Sequence, residues 1–261
     1  MNRAERLNSV LAMLAQTGQV DIDDIVAALG VSHATARRDL DTLDEQQLLT
    51  RTRGGAIGRS VAYDLPLRYK YQQNSEQKQQ IALAASALVP RGSVVGLCGG
   101  TTSTAIANEL SLRADLIEPS PRPTLTVVTN AINIAAQLAM RPQIKTVVTG
   151  GVVHTRSYEL VGSYSDLVLG NISLDIAFIG INGMHPVIGP TTHDEREASV
   201  NSLMAARAAR AILVADSSKI GKKAFATMGG PRQFGTLITD SGITDHQRGE
   251  LVDRGYEVIV A

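Results

Sequence analysis

The sequence predicts an α/β protein in which an N-terminal winged helix-turn-helix is joined to a Rossmann-like α/β domain. Three short amphipathic patterns and a basic, glycine-ended segment fill the first 57 residues. From residue 93 onward, runs rich in Val and Ile alternate with helical patterns. Such alternation indicates a buried, mostly parallel sheet with helices on both faces. We therefore expect a first domain at 1–57, a linker at 58–75 and a second domain at 76–261.

The N-terminal segment has the pattern of three helices. Apolar residues at helical spacing predict a first helix over about 3–17 and a second over about 21–29. Three aspartates lie near the start of the second helix, where negative charge is favoured. Gly30 then breaks the chain, and Ser32 is a suitable N-cap for a third helix. Two helices, a tight turn and a third helix form the helix-turn-helix arrangement.

The third helix has one apolar and one polar face. Ala36, Leu40 and Leu43 form the buried stripe, whereas Thr35 and Arg38 lie opposite it. Arginine binds guanine edges or phosphates and threonine contacts bases, so this face suits the major groove of double-stranded DNA. An arginine pair alone usually marks a solvated helix face, and it is the three helices, the turn and the wing together that favour DNA.

Residues 48–56 predict the wing. Two short extended runs flank a basic segment that ends in Gly54 and Gly55. Together with the third helix, this segment gives the residues predicted to contact DNA: Ser32, His33, Thr35, Arg37, Arg38, Arg51 and Arg53.

The charge of this segment predicts that one copy binds DNA moderately. Residues 1–58 contain six arginines and eight acidic residues, and the whole chain has a formal net charge of zero. The basic groups concentrate on the third helix and the wing, so the footprint is local. Because phosphate contacts supply most of the non-specific affinity, we expect two or more copies to act together in a homo-oligomer.

Composition narrows the class of protein. At 261 residues, 44% hydrophobic and 19% charged, the chain is an ordinary two-domain globular protein. It contains no membrane-length apolar run and no signal-peptide pattern, which predicts a cytoplasmic protein without membrane contact. A single cysteine, Cys98, excludes an intrachain disulfide and a cysteine-rich zinc site. Three per cent aromatic residues argue against an RNA binder that stacks bases.

The alternating region contains seven predicted strands and four predicted helices. The strands are expected at 94–97, 125–129, 145–148, 176–179, 211–214, 236–239 and 258–260. The helices are expected at about 103–110, 131–140, 195–209 and 244–254, and a further helix begins near Ser75.

The loop after the first of these strands is a candidate anion site. Gly99, Gly100, Thr101 and Thr102 lead directly into a helix. Glycines allow a ligand close to the backbone, and the N–H groups and dipole of a helix N-terminus favour an anion. The loop lacks the lysine of a P-loop and the spacing of a dinucleotide-binding loop. A tight strand-to-helix turn explains the same residues equally well.

Small or polar residues also follow the other strands. Because ligands bind beyond the carboxyl ends of parallel strands, a shared pocket explains these residues better than unrelated turns do. Lys219 would neutralise a phosphate, whereas Asn130, Asp175 and Asn182 would bind sugar hydroxyls. A surface turn with a solvated ion pair is the alternative for Asp216 and Lys219. Also assigned to the pocket are Gly150, Gly151 and Gly180.

Neither metal nor catalytic chemistry is expected. His193 lies beside Asp194 and Glu195 at the start of a predicted helix, but no second histidine has ligand spacing. The acidic residues there suit the helix N-terminus. Cys98 is interpreted as a small buried hydrophobic residue and not a nucleophile. No cofactor, metal site or catalytic residue is predicted.

The chain resembles the DeoR family of bacterial transcription regulators in motifs that run along nearly its whole length. Thr35–Leu40 with Leu43, and then Leu49–Ala56, resemble the family's DNA-binding signature, with Ala36 and Arg53 as departures. Further motifs match at 98–102, 129–130, 150–151, 175–180, 194–198 and 216–219, with Cys98 where an acid is usual. The resemblance implies an effector domain like ribose-5-phosphate isomerase in fold and adds Glu197 to the predicted pocket.

Together these features predict a DNA-binding transcriptional regulator. It would repress carbohydrate-metabolism genes and respond to a phosphorylated sugar or related small-molecule effector. The alternative is a sugar-phosphate isomerase or deaminase with an N-terminal extension. Such an enzyme needs an acid/base pair, for which Asp175, Glu197 and Lys219 are the candidates.

Overall fold

A computed structural model describes residues 1–46, 48–57, 67–70 and 73–261, with the backbone alone at residues 15, 16, 68 and 69. The chain divides into two compact units, Met1–Leu65 and Pro66–Ala261. The predicted linker 58–75 lies largely outside the described residues. Its described part includes a short helix at 67–70.

The first unit consists of three helices and a three-stranded antiparallel sheet with the order β1-β3-β2. The predicted helices are confirmed, and Gly18 and Gly30 end the first two in the left-handed conformation. The elements are α1 Arg3–Thr17, β1 Gln19–Asp21, α2 Ile22–Leu29, α3 His33–Glu45, β2 Thr50–Arg51 and β3 Gly55–Ile57.

The second unit is built on a seven-stranded sheet. Its elements are α4 Leu67–Lys70, α5 Ser75–Ala87, β4 Val94–Leu97, α6 Thr101–Leu112, α7 Ala114–Ile117, β5 Leu125–Thr129, α8 Ile132–Leu138, β6 Ile144–Val148, β7 Val152–His154, β8 Glu159–Val161, α9 Ser163–Leu169, β9 Leu174–Gly180, β10 Gly183–His185, β11 Gly189–Thr192, α10 Glu195–Ala206, β12 Ala208–Val214, β13 Ala226–Thr227, β14 Thr236–Thr239, α11 Asp245–Asp253 and β15 Glu257–Val260.

The large sheet has the order β15-β14-β12-β9-β4-β5-β6, and every neighbouring pair is parallel. All seven strands therefore end at one edge, which we call the carboxyl edge. All seven are the strands that the sequence predicts. In parallel sheets this edge carries the loops that bind ligands.

The two faces of the sheet pack against separate apolar cores. Along β9, Phe178 belongs to the core that contains residues of α5, α6 and α8. Its neighbours Ala177 and Ile179 belong to the opposite core, which contains residues of α9, α10 and α11. This alternation follows from the two-residue side-chain period of a strand. Near-continuous apolar runs are the consequence, because both faces are covered.

Several short elements were not predicted, among them the hairpins β7–β8 and β10–β11, the helices α7 and α9, and the strand β13. The hairpins lie between residues 152 and 192, where few apolar residues follow a regular period. The helix predicted over 195–209 ends at Ala206, since Ala208 pairs with Leu174 and starts β12. Among the described residues, no helix combines the length and apolar character needed to cross a bilayer.

Candidate functional site

The exposed face of α3 has the residues predicted for DNA contact. Arg37 and Arg38 are exposed and Thr35 is half-buried. Ala36, Leu40 and Leu43 are fully buried on the other side, as the periodicity predicts. The helix thus presents two guanidinium groups on a rigid, packed element, which is the arrangement that fits a DNA groove.

The start of α3 is held by the side chains that were predicted to contact DNA there. Ser32 Oγ accepts a hydrogen bond from the backbone N–H of Thr35 at 3.2 Å and contacts Thr35 Oγ1 at 3.0 Å. His33 Nε2 lies 2.9 Å from Asp23 Oδ1, and both side chains are exposed. Ser32 is therefore a helix cap, and a DNA contact would be an additional role.

The wing is the hairpin β2–β3. Arg51 donates to Asp41 Oδ1 at 2.9 Å and to the carbonyl oxygen of Gly55 at 2.8 Å, so it braces the wing against α3. Arg53 is exposed at the turn. A Cβ at Gly55 would lie 2.0 Å from the carbonyl oxygen of Val20, so only glycine fits where β3 meets β1.

A buried ion pair fixes the recognition helix to α1. Arg6 forms a bidentate pair with Asp39, with Nη2 3.0 Å from Oδ1. The Asp39 side chain is 2% exposed and that of Arg6 is 16% exposed. This hydrogen bond raises the pKa of the Arg6 guanidinium above its ordinary value. Asp39 is one of the eight acidic residues among residues 1–58, but its role is structural, because its side chain is buried against Arg6.

The carboxyl edge of the large sheet is the candidate effector site. The loop after β4 enters α6 at Thr101, and Gly100 adopts a φ of 101° that favours glycine. The first N–H groups of a helix have no partner inside the helix, so those of α6 are directed at this edge. Thr101 is half-buried and Thr102 is buried. The loop has the features of an anion site.

A carboxyl group lies against this loop. Glu159, the first residue of β8, is 4% exposed. A Cβ at Gly99 would lie 2.3 Å from its Cγ and 2.5 Å from its Oε1. Its Oε2 accepts from the side-chain amides of Asn130 at 2.9 Å and Asn201 at 3.3 Å. Asn130 and Gly99 were both predicted for the pocket. The structure places them around Glu159, which was not predicted.

Cys98 is buried beneath the loop. The backbone N–H of Gly180 donates to its Sγ at 3.0 Å, and Ser103 Oγ lies 3.6 Å away. Burial, and to a smaller extent the negative charge of Glu159, raises the pKa of the thiol to about 12. The thiol is therefore neutral at pH 7. Gly180 is adjacent to the loop, as predicted, but its N–H is occupied by Cys98.

A second polar cluster continues from Glu159. Ser157 Oγ accepts from the Glu159 N–H at 3.3 Å and donates to Glu197. Glu197 also contacts His154 Nδ1 at 2.7 Å and accepts from Thr192 Oγ1 at 3.1 Å. Four of these residues come from hairpins that the sequence did not predict: His154, Ser157 and Glu159 from β7–β8, and Thr192 from β10–β11. The 4% exposed Glu197 therefore holds the hairpins to the start of α10.

Asn182 joins this cluster from the loop after β9. Its Oδ1 accepts from Thr192 Oγ1 at 2.7 Å and from the backbone N–H of His193 at 3.3 Å. Asp194 caps α10 by accepting from the backbone N–H groups of Arg196 and Glu197. Asn182 and Glu197, both predicted, are thus linked through Thr192.

The loop after β12 contains Lys219 and a buried carboxylate. Asp216 is 2% exposed, so the alternative of a solvated surface turn is wrong for this residue. Asn74 Nδ2 donates to Asp216 Oδ1 at 2.9 Å. Burial lowers the pKa of Lys78 to about 8, Asp216 opposes this shift, and the positive charges of Lys219 and Lys70 add to it. The positive charges of Lys219 and Lys70 therefore repel that of Lys78 beside this loop.

Gly150 and Gly151 form the turn between β6 and β7. Both have positive φ, 77° and 133°. A Cβ at Gly151 would lie 2.8 Å from Ser165 Oγ and 2.9 Å from the backbone of Val161. These glycines are at the carboxyl edge, as predicted, where the positive φ of Gly150 and the close packing around Gly151 account for them.

Asp175 does not lie with the other predicted residues. It is the second residue of β9, and its Oδ2 accepts from the backbone N–H of Val94 at the start of β4 at 2.7 Å. Five residues separate it from the end of the strand, a distance of roughly 17 Å. We therefore correct the prediction: Asp175 closes the opposite edge of the sheet and is not part of the candidate pocket.

The chain matches two family models. Residues 6–60 match the family described as "DeoR-like helix-turn-helix domain", and residues 73–241 match "DeoR C terminal sensor domain". Together the two matches account for most of the chain.

Curated proteins align with almost the whole chain. A putative aga operon transcriptional repressor of Escherichia coli O157:H7 is 30% identical over 98% of this chain and 93% of its own length. The HTH-type transcriptional repressor GlcR of Bacillus subtilis is 32% identical over 100% and 97%. The glycerol-3-phosphate regulon repressor of Escherichia coli K12 is 27% identical over 92% of both chains.

Solved structures are more distant. The sorbitol operon regulator SorC of Klebsiella pneumoniae has a TM-score of 0.41 and 12% identity, covering 96% of this chain and 99% of its own. A ribose 5-phosphate isomerase of Methanocaldococcus jannaschii has a TM-score of 0.41 and 20% identity, covering 60% and 56%.

Proposed function

Because this chain belongs to the DeoR family of DNA-binding transcriptional regulators, we propose that it represses carbohydrate-metabolism genes and that a phosphorylated sugar controls its binding to DNA. The family and the aligned relatives are regulators and not enzymes. The isomerase or deaminase alternative also loses one of its candidate groups, since Asp175 is at the wrong edge of the sheet.

The DNA-binding surface in this proposal is the exposed face of α3 together with the wing. Arg37, Arg38 and Arg53 are its exposed cations. Arg51 is partly committed to Asp41 and supports the wing's position. Because few phosphates can be neutralised by so few cations, we propose that a homo-oligomer in the cytoplasm binds a double-stranded operator through two or more copies of this unit.

The effector in this proposal carries an anionic group at the start of α6. The helix N-terminus supplies backbone N–H groups and Thr101 supplies a hydroxyl. Lys219 and Lys78 add positive charge near the loop after β12, and a bound anion would relieve their mutual repulsion. What supports the proposal is that the start of α6, with Thr101, and the loop that contains Lys219 both follow strands of one parallel sheet and therefore lie at its carboxyl edge.

The proposed control route begins at the segment 67–78, which follows the DNA-binding unit in the chain. Leu67 donates its backbone N–H to the carbonyl oxygen of Arg156 in the β7–β8 turn at 2.7 Å. Asn74 binds Asp216 and Ser218. Lys78 Nζ donates to the carbonyl oxygen of Lys70 at 3.0 Å. The described residues of this segment, 67–70 and 73–78, are therefore attached to the β7–β8 turn and to the loop after β12, so a ligand that moves either loop would move them.

Thermal unfolding of the full-length protein with phosphorylated and unphosphorylated sugars tests the proposal. A ligand at a hundred times its Kd stabilises the folded state by about 2.7 kcal/mol. We expect stabilisation by phosphorylated sugars, loss of it in Lys219→Ala, and no loss in Lys223→Ala, which removes an exposed lysine four residues later. Conversion of a sugar phosphate into product, or equal stabilisation by unphosphorylated sugars, would contradict the proposal.

A further inference from the structure

The carboxyl group of Glu159 lies beside the glycine-rich loop at which the proposed anion binds. Hydrogen bonds and close packing fix the position of this carboxyl group. Oε2 accepts hydrogen bonds from two amide side chains, and Gly99 leaves the space that the Glu159 side chain occupies. A residue larger than glycine at position 99 would displace the carboxyl group. The packing therefore holds Glu159 at the loop.

The amide orientations support this arrangement. Asn130 Nδ2 is surrounded by acceptors: Glu159 Oε2 at 2.9 Å, Asn201 Oδ1 at 3.4 Å and the carbonyl oxygen of Leu160 at 3.5 Å. Reversing the amide would direct its oxygen at these acceptors, so the nitrogen must face Glu159. The acceptor of Asn130, Oδ1, is buried without a hydrogen-bond partner among the described residues. A ligand that enters beside Asn130 would find its Oδ1 as a hydrogen-bond acceptor in addition to the Glu159 carboxyl group.

A carboxyl group beside an anion site constrains the ligand. Glu159 Oε1 lies 2.5 Å from the position of a Cβ at Gly99, and Gly99 is two residues before Thr101, a span of less than about 8 Å. A phosphate is repelled from Glu159 and attracted to the first turn of α6. The portion of the ligand at Glu159 must instead donate hydrogen bonds. A hydroxyl group does so, and a second phosphate does not.

We infer that Glu159 is the specificity-determining residue of the pocket, which selects a phosphate monoester whose carbon chain carries a hydroxyl group near the phosphate. The inference rests on the proposed function, because it takes the anion to bind at α6. Hydroxyl donation to the carboxylate favours hydroxylated esters over their deoxy analogues. Inorganic phosphate, which lacks a carbon chain, binds only through the helix terminus and the lysines.

The test compares affinities in the full-length protein by titration calorimetry. The probes are glucose 6-phosphate with 4-deoxyglucose 6-phosphate and ribose 5-phosphate with 3-deoxyribose 5-phosphate, pairs that differ in the ring hydroxyl nearest to the phosphate, together with inorganic phosphate. We expect the wild type to prefer the hydroxylated member of at least one pair by about ten- to a hundredfold, the range for a hydrogen bond to a charged group. Glu159→Gln should bring this ratio close to one without weakening inorganic phosphate.

Two further variants complete the test. Glu159→Asp keeps the charge but withdraws it by one methylene, so we expect an intermediate ratio even if Glu159→Gln does not fold. Glu195→Gln, which neutralises an exposed glutamate at the start of α10, should leave the ratio unchanged.

The outcomes separate the two hypotheses. An unchanged ratio in Glu159→Gln and Glu159→Asp, or an equal loss for every probe, overturns the role of Glu159 while the proposed function stands. If no ester binds the wild type, both are overturned. A ratio that collapses in Glu159→Gln and is intermediate in Glu159→Asp supports the inference.

Discussion

Removal of either partner of the Arg6–Asp39 pair should destabilise the DNA-binding unit, and the two removals should differ. Arg6→Met keeps the apolar stem but leaves the 2% exposed Asp39 carboxylate without its guanidinium. Loss of one partner of a buried pair costs about 3–5 kcal/mol. Asp39→Asn leaves Arg6, which is 16% exposed and can turn toward water. We expect a smaller cost of about 1.5–3 kcal/mol, the range for a hydrogen bond to a charged group.

These costs are large for so small a unit. At about 0.05–0.15 kcal/mol per residue, a unit of this length has a total stability of roughly 3–10 kcal/mol. Hydrogen exchange of the full-length protein, read by mass spectrometry, measures the local opening of α1 and α3. Because each 1.4 kcal/mol is a factor of ten, Arg6→Met should speed exchange roughly a hundred- to several-thousandfold. Exchange in β4 and β9 should not change.

Arg3→Met is the matched control for this experiment. Arg3 lies on the same helix and donates to Thr42 Oγ1 at 2.9 Å, but both groups are on the surface. Exposed interactions of this kind contribute about 1 kcal/mol or less. Equal exchange rates in Arg3→Met and Arg6→Met would show that the buried pair does not hold α1 to the recognition helix, and the structural role of Asp39 would have to be withdrawn.

Three other predictions concern single positions. Arg38→Ala should weaken operator binding without unfolding the protein. If Arg38 contacts a phosphate, the salt slope should fall by about one; if it contacts a base, about 1–3 kcal/mol of base discrimination should be lost. An unchanged gel shift would refute this prediction. Thr101→Val and Lys219→Ala should each abolish effector response and retain DNA binding, and wild-type effector affinity by calorimetry in both would contradict the pocket assignment. At pH 8 about one Cys98 thiol in ten thousand is ionised, given a pKa of about 12. Iodoacetamide should therefore alkylate it only after unfolding, and rapid reaction of the folded protein would refute its burial.

The sequence predicts the regular elements well, because their signals are local. The stripe Ala36, Leu40 and Leu43 and the cap Ser32 are visible within twelve residues, and the structure confirms them. The five inner strands of the large sheet are mostly buried on both faces, so each is largely a run of apolar residues. The loops that follow them were assigned to one edge by a general rule about parallel sheets, which Lys219 and Asn130 satisfy.

The remaining site residues depend on contacts that are distant in sequence. Glu159 meets Asn201, and His154 meets Glu197, across about forty residues. His154 and Glu159 belong to the β7–β8 hairpin, whose three-residue strands are too short to show a periodic pattern. Asp175 was misassigned because its motif extends through the strand to the correct edge, whereas the side chain itself lies at the start. Asp39 has the local pattern of a solvated acid, and only the approach of Arg6 from α1 explains its burial.

The operator affinity of the full-length protein with and without a phosphorylated sugar tests the central claim most directly. The operator is first selected from genomic fragments, and Kd is then measured by fluorescence anisotropy at fixed salt while calorimetry verifies that the effector is saturating. We expect the effector to change Kd by about 5- to 150-fold, corresponding to a coupling free energy of about 1–3 kcal/mol, and to cause no change in Lys219→Ala. An identical Kd with the effector site saturated would contradict the claim that this pocket controls DNA binding.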